Sequence, residues 1–346
     1  VSCGIPGDMC TLPLTEVCVA VEGEYPDIGN FWMTTNNPCD ANMMDNSAMY
    51  RALSNNGQKA VHPLTTPLMY DDPTTKELGV HEIESAIDFM EKQFGRKFDW
   101  DAFIRHCEAT NQVNREEMER WDIYCKTDNG CLNAICQGMY RIYFYQQGGT
   151  KYFAKSSAKT LKLMYECVEK NIKPFPNTRH RALAWSCGST YYCHGVGWLY
   201  NCWGILAVIN MDSLTGHNLI DTEDRETMME DLADWYSHTP MRTHTVGGNR
   251  HIMQMWETAE KFNCDTIIMY DDIGCKGMAG AQGLLEEEFA KHRDKFHIIW
   301  MPHSLMDCRI VPTNEARRAV NQYMTDVLHE EPVDPSLVDF DDTLGW

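Results

Sequence analysis

Two rhythms of apolar and polar positions divide this chain. Between residues 79 and 172 the apolar positions recur at three- and four-residue steps, as in Ile83, Ile87, Met90 and Phe94, the spacing that lines one face of a helix. From Ala182 onward the pattern changes to short continuous apolar runs: ALAW at 182–185, ILAVIN at 205–210, DTIIMY at 265–270 and HIIWM at 297–301. A helical stretch ending near Cys202 and amphipathic helices over 225–236, 248–262, 279–293 and 314–328 separate those runs. Buried strands alternating with helices predict a parallel sheet covered on both faces. The first block reads similarly: a loop, a helix over 12–20, a strand over 30–35 ending at Asn36-Asn37-Pro38-Cys39, a helix over 41–53 and a strand near 60–64, a βαβ-like unit.

The expected fold class is therefore α/β, with two doubly wound parallel-sheet domains of Rossmann or flavodoxin-like type and a helical layer between them. The expected boundaries are 1–175, including the helical segment 79–172, and 176–346. The tail after Glu331, PVDPSLVDFDDTLGW, is acidic and proline-bearing and reads as an extended strap or a disordered end. Parallel sheets of this kind open their ligand crevice at the carboxyl ends of the strands, and Cys39 and Cys275 each lie just beyond such an end.

With 43% hydrophobic residues over 346 positions, the chain has material for a large core, and no apolar run is long enough for a membrane span. Fifty acidic against thirty basic residues give a formal charge of −20, which argues against nucleic acid as a partner. An anionic substrate would need local cations, and the densest basic segment is KPFPNTRHR, Lys173 to Arg181, read either as a phosphate contact or as a solvated linker. The fifteen cysteines are not spaced as a secreted disulfide framework. With 21 methionines they suit a reducing compartment, a cytoplasm, and an anaerobic cell. The first residue is Val1 and not Met, so a preceding element is expected.

Three distant cysteines, Cys10 in GDMCTLPLTE, Cys39 in NNPCDANMMDN and Cys275 in DDIGCKGMAGAQ, each stand where a loop or strand hands over to a helix. Thiolates from separate segments can converge on one soft metal centre, and three of them leave one position open. No C-x2-C pair occurs, which argues against structural zinc. Cys125, Cys131 and Cys136, and likewise Cys187, Cys193 and Cys202, fall mostly in helical stretches and read as small apolar residues. Neither G-x-G-x-x-G nor G-x4-G-K-[ST] is present, so no dinucleotide fold or bound ATP is indicated. Gly274, Gly277 and Gly280 flank the third cysteine, where they either let backbone amides approach a ligand or form a flexible turn.

The segments CDTIIMYDDIGCKGMAGAQGLLEEEF and HIIWMPHSLMDCRIVPTNEARRAVNQYM, with NNPCDANMM, GDMCTLPLTE, RKFDWDAF and RALAWSCGSTYYCHGVGWLYNCWGILAV, resemble the radical 2-hydroxyacyl-CoA dehydratases and their relatives the ATP-dependent benzoyl-CoA reductases. The resemblance runs over nearly the whole chain as short islands. It departs at Cys308, where the family has proline before the arginine, at His303-Ser304, where it has an acidic residue, and at Cys3, which competes with Cys10 for the first ligand position.

The resemblance implies a [4Fe–4S] cluster held by Cys10, Cys39 and Cys275, with one iron not ligated by cysteine. It also implies a homologous second subunit in a heterodimer or larger complex, a separate ATP-hydrolysing iron–sulfur activator that supplies a low-potential electron, and an acyl-CoA substrate. In the dehydratases the electron converts the thioester to a ketyl radical anion that expels the neighbouring hydroxyl; in the reductases it begins ring reduction. The chain resembles the subunit bearing the catalytic cluster, with the aryl-CoA reductase subunit and a non-catalytic electron relay as alternatives. His194, as a proton donor, and Gln282, as a residue facing the site, are the further candidates, each also readable as structural. Asp307 and Arg309 are expected to shape the last turn.

Overall fold

The structure, a computed structural model, describes residues 5–24, 29–36, 39–56, 59–65, 72–127, 147–186, 188, 195–214, 218–237 and 248–340. By internal contacts the chain divides into two compact units, Val1–Asn111 with Thr215–Gly248, and Gln112–Leu214 with Asn249–Trp346. Both contain parallel sheet among many helices. Among the described residues no helix is long and apolar enough to cross a membrane.

The first unit opens with α1 (Thr11–Val21), β1 (Phe31–Asn36), α2 (Asp40–Arg51) and β2 (Ala60–Thr65). The two strands pair in parallel from Phe31 opposite Ala60 to Asn36 opposite Thr65. Two small apolar clusters hold this part together. Ala20, Met49, Ala52 and Leu53 pack with Trp32 and Val61, while Met9, Val17 and Ala41 pack with Cys10 and Cys39. Then come α3 (Pro73–Phe94) and α4 (Trp100–Lys126), the latter passing into the second unit at Gln112. Asp72 caps α3 through the Thr74 N–H, and Gly95, at φ 64°, ends it in the left-handed conformation that suits glycine.

In the second unit lie α5 (Lys151–Glu169), β3 (His180–Trp185), α6 (Gly195–Trp203) and β4 (Ile205–Asn210). After them the chain forms α7 (Arg225–Ser237), which belongs to the first unit, and α8 (Gly248–Lys261). Gly79 of α3 lies so near α7 that a Cβ added there would stand 2.9 Å from the Ala233 Cβ, so the helix contact requires a residue without a side chain. The second unit is completed by β5 (Thr266–Asp272), α9 (Lys276–His292), β6 (His297–His303) and α10 (Thr313–Gln322).

The four strands of the second unit form a parallel sheet in the order β4-β3-β5-β6. Alternate residues supply two separate cores, as the two-residue side-chain period requires. Leu183, Trp185, Leu206, Val208, Ile267, Met269 and Ile298 face one core with α5, α8 and α9. Ala182, Ala184, Ile205, Ala207, Ile268, Tyr270, Ile299 and Met301 face the other with α6 and α10. The near-continuous apolar runs of the sequence follow from this burial on both faces.

Over 333–338 the tail is a strap across the second core. Val333 N–H donates to Cys202 O at 2.7 Å, Trp198 Nε1–H to Leu337 O at 2.8 Å, and Asn321 Nδ2–H to Val338 O at 2.9 Å. Arg179 and Arg181 in the basic segment bind backbone carbonyls, Arg179 that of Glu331 and Arg181 those of Tyr124 and Phe262. The whole segment, 173–181, lies inside the second unit and so does not link the two units.

Candidate functional site

The three cysteines singled out by their context share one construction. Cys10, Cys39 and Cys275 are the N-cap residues of α1, α2 and α9. Each carbonyl accepts the first bond of its helix, from Leu14 N–H at 3.1 Å, Met43 N–H at 3.0 Å and Ala279 N–H at 2.9 Å. A helix start gathers unsatisfied N–H groups and the positive end of the macrodipole, which favours a thiolate. Cysteine is not among the residues that cap helices well, so helix stability does not explain its presence three times over.

All three side chains are partly buried and free of disulfide. Within the first unit Cys10 and Cys39 pack on the same cluster of Met9, Val17 and Ala41. Burial pushes the Cys39 thiol up from its ordinary pKa, opposed by the Asn42 N–H, which donates to Sγ at 3.3 Å. Asn46 Nδ2–H, donating to Thr35 O at 2.9 Å, ties α2 to the end of β1 and so fixes where the Cys39 turn begins.

In the second unit Cys275 follows β5 through a turn held by Asp272. Gly274 N–H donates to Asp272 Oδ1 at 3.1 Å, Cys275 N–H to Asp272 O at 2.9 Å and Ile273 N–H to His303 O at 3.1 Å. The strand order reverses between β3 and β5, and in parallel sheets a crevice opens at the carboxyl ends beside such a reversal. Gly277, Gly280 and Gly283 occupy the first two turns of α9, and a Cβ on any of them would meet no heavy atom within 4 Å. Each glycine costs a helix about 1 kcal/mol relative to alanine, and here packing does not require it. The result is bare backbone beside Cys275.

The same strand ends, and α8 beside them, carry residues that were not among the candidate site residues. Ser186, just after β3, adopts φ 69°, an uncommon conformation for a residue with a Cβ. Gly188 lies against Tyr270, whose ring a Cβ would approach to 3.2 Å. His303 is buried edge-on to Tyr270 with ring centroids 5.4 Å apart. His251 accepts the Trp185 Nε1–H at 2.8 Å, and burial lowers its pKa to about 4, so the imidazole is neutral. The available signal was position: His303 ends an apolar strand run, as Asp272 does.

Gln282 is exposed on α9. Cys3, Cys131, Cys136, Cys187, Cys193 and His194 lie outside the described residues. Cys125 packs beside the first core of the sheet and Cys202 lies within the second, where burial raises its thiol to about 11. Cys107 and Cys264 are buried likewise, pushed to about 11 and about 12, which is how inert structural thiols behave. Asp307 and Arg309 form a two-bonded ion pair within their own turn.

Among the described residues no group of three His, Cys, Asp or Glu side chains is placed to hold a single metal ion. A polynuclear cluster takes its ligands on different metal atoms, and soft thiolates are the donors it requires. By donor chemistry alone, each of the three cysteines suits such a group.

Among curated proteins none matches the chain. The family profile described as 2-hydroxyglutaryl-CoA dehydratase, D-component, matches residues 2–302, covering all three cysteine-capped helix starts and ending before α10, which completes the second core. This chain belongs to the 2-hydroxyglutaryl-CoA dehydratase D-component family.

Proposed function

We propose that this chain is the cluster-bearing subunit of an ATP-activated iron–sulfur enzyme that removes water from a 2-hydroxyacyl-CoA thioester. The observation that carries the reading is the repeated N-cap cysteine, at Cys10, Cys39 and Cys275, inside a chain whose family profile is that of a dehydratase component. These three thiolates would hold a [4Fe–4S] group with one iron free of cysteine. When bound, that group supplies a low-potential electron and a Lewis-acidic position for an oxygen ligand. The D-component family implies a partner subunit, and a separate ATP-hydrolysing activator belongs to the same proposal.

The chain's own residues supply placement and exclusion of water. At Cys39 the helix start turns an N–H onto the sulfur, Asn42 donating to Sγ at 3.3 Å. Asp272 fixes the turn that presents Cys275. An exposed apolar side chain lies within four residues of each cysteine in the chain: Leu12 at 49%, Met43 at 43% and Ile273 at 65% of full exposure. Apolar groups so placed beside a redox centre lower its access to water once substrate or a partner covers them.

The test is reconstitution without oxygen, with the partner subunit, the activator and ATP, using 2-hydroxyglutaryl-CoA as substrate. Elimination of water that disappears in Cys39→Ser is the expected result. Dearomatisation of benzoyl-CoA in place of dehydration would assign the chain to the reductase branch and contradict the proposal.

A further inference from the structure

The chain carries a formal charge of −20, yet the 37 residues from Asn129 to Tyr165 contain no aspartate or glutamate. Five basic residues fall in that stretch, and four of them, Lys151, Lys155, Lys159 and Lys162, lie on α5. At 100° per residue they share one flank of the helix. The opposite flank, Phe153, Ala154, Ser157, Leu161 and Met164, is buried, with Leu161 and Met164 in the core of the second unit. All four lysines are exposed. Among the described residues none of them pairs with a carboxylate; Lys151 has only the neighbouring Tyr152 ring, 5.3 Å from its Nζ.

This arrangement works against the helix. Lys151 and Lys155, and Lys155 and Lys159, are like-charged pairs at i, i+4, which destabilise a helix where a carboxylate would stabilise it. Lys151 also sits at the helix start, where the macrodipole favours negative charge. Carboxylates are abundant elsewhere in the chain, and on α5 they enter only in its last turn, at Glu166, which pairs with Lys170, and Glu169. Tyr152, 73% exposed, Leu163, 47%, and Tyr165, 42%, border the lysines and give the face aromatic and apolar edges. It is a helix flank, suited to a surface more than to a small ligand. The net negative charge of the molecule disfavours nucleic acid.

Resting on the reading of the chain as one subunit of a complex, we infer that the lysine flank of α5 is the docking surface for an acidic face of the partner subunit. Positive groups on an otherwise negative molecule orient the encounter and fix which face meets the partner.

The experiment measures the affinity of the full chain for the partner subunit at increasing sodium chloride, beside a variant carrying Lys151→Gln, Lys155→Gln, Lys159→Gln and Lys162→Gln. The wild type should lose affinity as salt rises, and the variant should bind about tenfold or more weakly at low salt with a flatter salt dependence. The matching Lys→Arg variant should bind as the wild type does. Because the glutamines remove like-charge repulsion, the variant should melt no lower than the wild type, which separates lost docking from lost folding. Equal affinity and equal salt dependence for the two proteins would overturn the inference. So would binding of anionic phospholipid vesicles that the variant loses while its affinity for the subunit is unchanged. Iron content is read separately: failure to hold iron counts against the proposed function, and loss of subunit affinity at full iron content bears on the docking surface alone.

Discussion

The two units seat their cysteines on very different supports. Cys275 leaves a four-stranded sheet with a core on each face, among whose fully buried side chains are Trp185, Trp203, Phe262 and Phe289. Cys10 and Cys39 rest on a cluster of three buried residues, none larger than methionine, beside a parallel strand pair. One thiol is thus fixed by a deep core and an acidic turn, and two by a shallow contact between helices. Of the two supports, the shallow one is where local opening needs the least free energy.

The largest effect should come from breaking the deep side. Trp203 is fully buried and its Nε1–H donates to Asn321 Oδ1 at 2.9 Å. Trp203→Ala should destabilise the second unit by about 3–5 kcal/mol. Val17→Ala, in the shallow cluster, removes two methyl groups and should cost about 1–2 kcal/mol. Denaturant unfolding of both variants checks the ranking, and equal losses would erase the contrast.

A smaller pair of effects sharpens the comparison through pH. In the second unit His180 lies between Asp265 Oδ2 at 3.0 Å and Glu330 Oε1 at 2.8 Å, and the hydrogen bond to Asp265 above all raises its pKa. Arg179 also faces Glu330, and His297 meets the imidazole edge-on. The folded state therefore holds a proton that the unfolded chain releases. This stability is complete below the ordinary imidazole value of about 6.5 and is lost as pH rises through the folded value.

In the first unit Asp45 is buried, its Oδ1 lacks a hydrogen bond, and burial first, then Glu16, raises its pKa to about 7. Here too the folded state binds more protons, so stability falls as pH climbs from about 4 to about 7 and is flat above. His180→Asn should remove the upper dependence and Asp45→Asn the lower, each changing stability by about 1–3 kcal/mol within its window. Melting curves across pH 4 to 9 would show it, and an unchanged profile in His180→Asn would contradict the clasp on Glu330.

Much of this was legible in the sequence. The four apolar runs are the four strands of the second unit, because a sheet buried on both faces leaves no polar position to interrupt the run. α9 was expected from Ala279 and begins at Lys276, since glycines 277 and 280 mimic a loop while the Cys275 carbonyl already closes the first turn. The expected cut at 175 marks a change of periodicity, whereas the compact units interleave, with Thr215–Gly248 joining the first. Periodicity reports local structure and carries no information about which helices pack together. The capping role of the three cysteines followed from their context, but Asp272, His251 and His303 did not, because their partners Gly274, Trp185 and Tyr270 are defined by folding.

The smallest change in stability belongs to the most direct test. Cys10→Ser, Cys39→Ser and Cys275→Ser place a better N-cap at each helix start, so each variant should fold at least as stably as the wild type, gaining up to about 1 kcal/mol. Iron and acid-labile sulfide should be measured on the wild type and each variant, purified without oxygen. The account predicts iron and sulfide in the wild type and a marked loss of both in every one of the three folded variants. Full iron and sulfide retained in Cys10→Ser, Cys39→Ser or Cys275→Ser would contradict it.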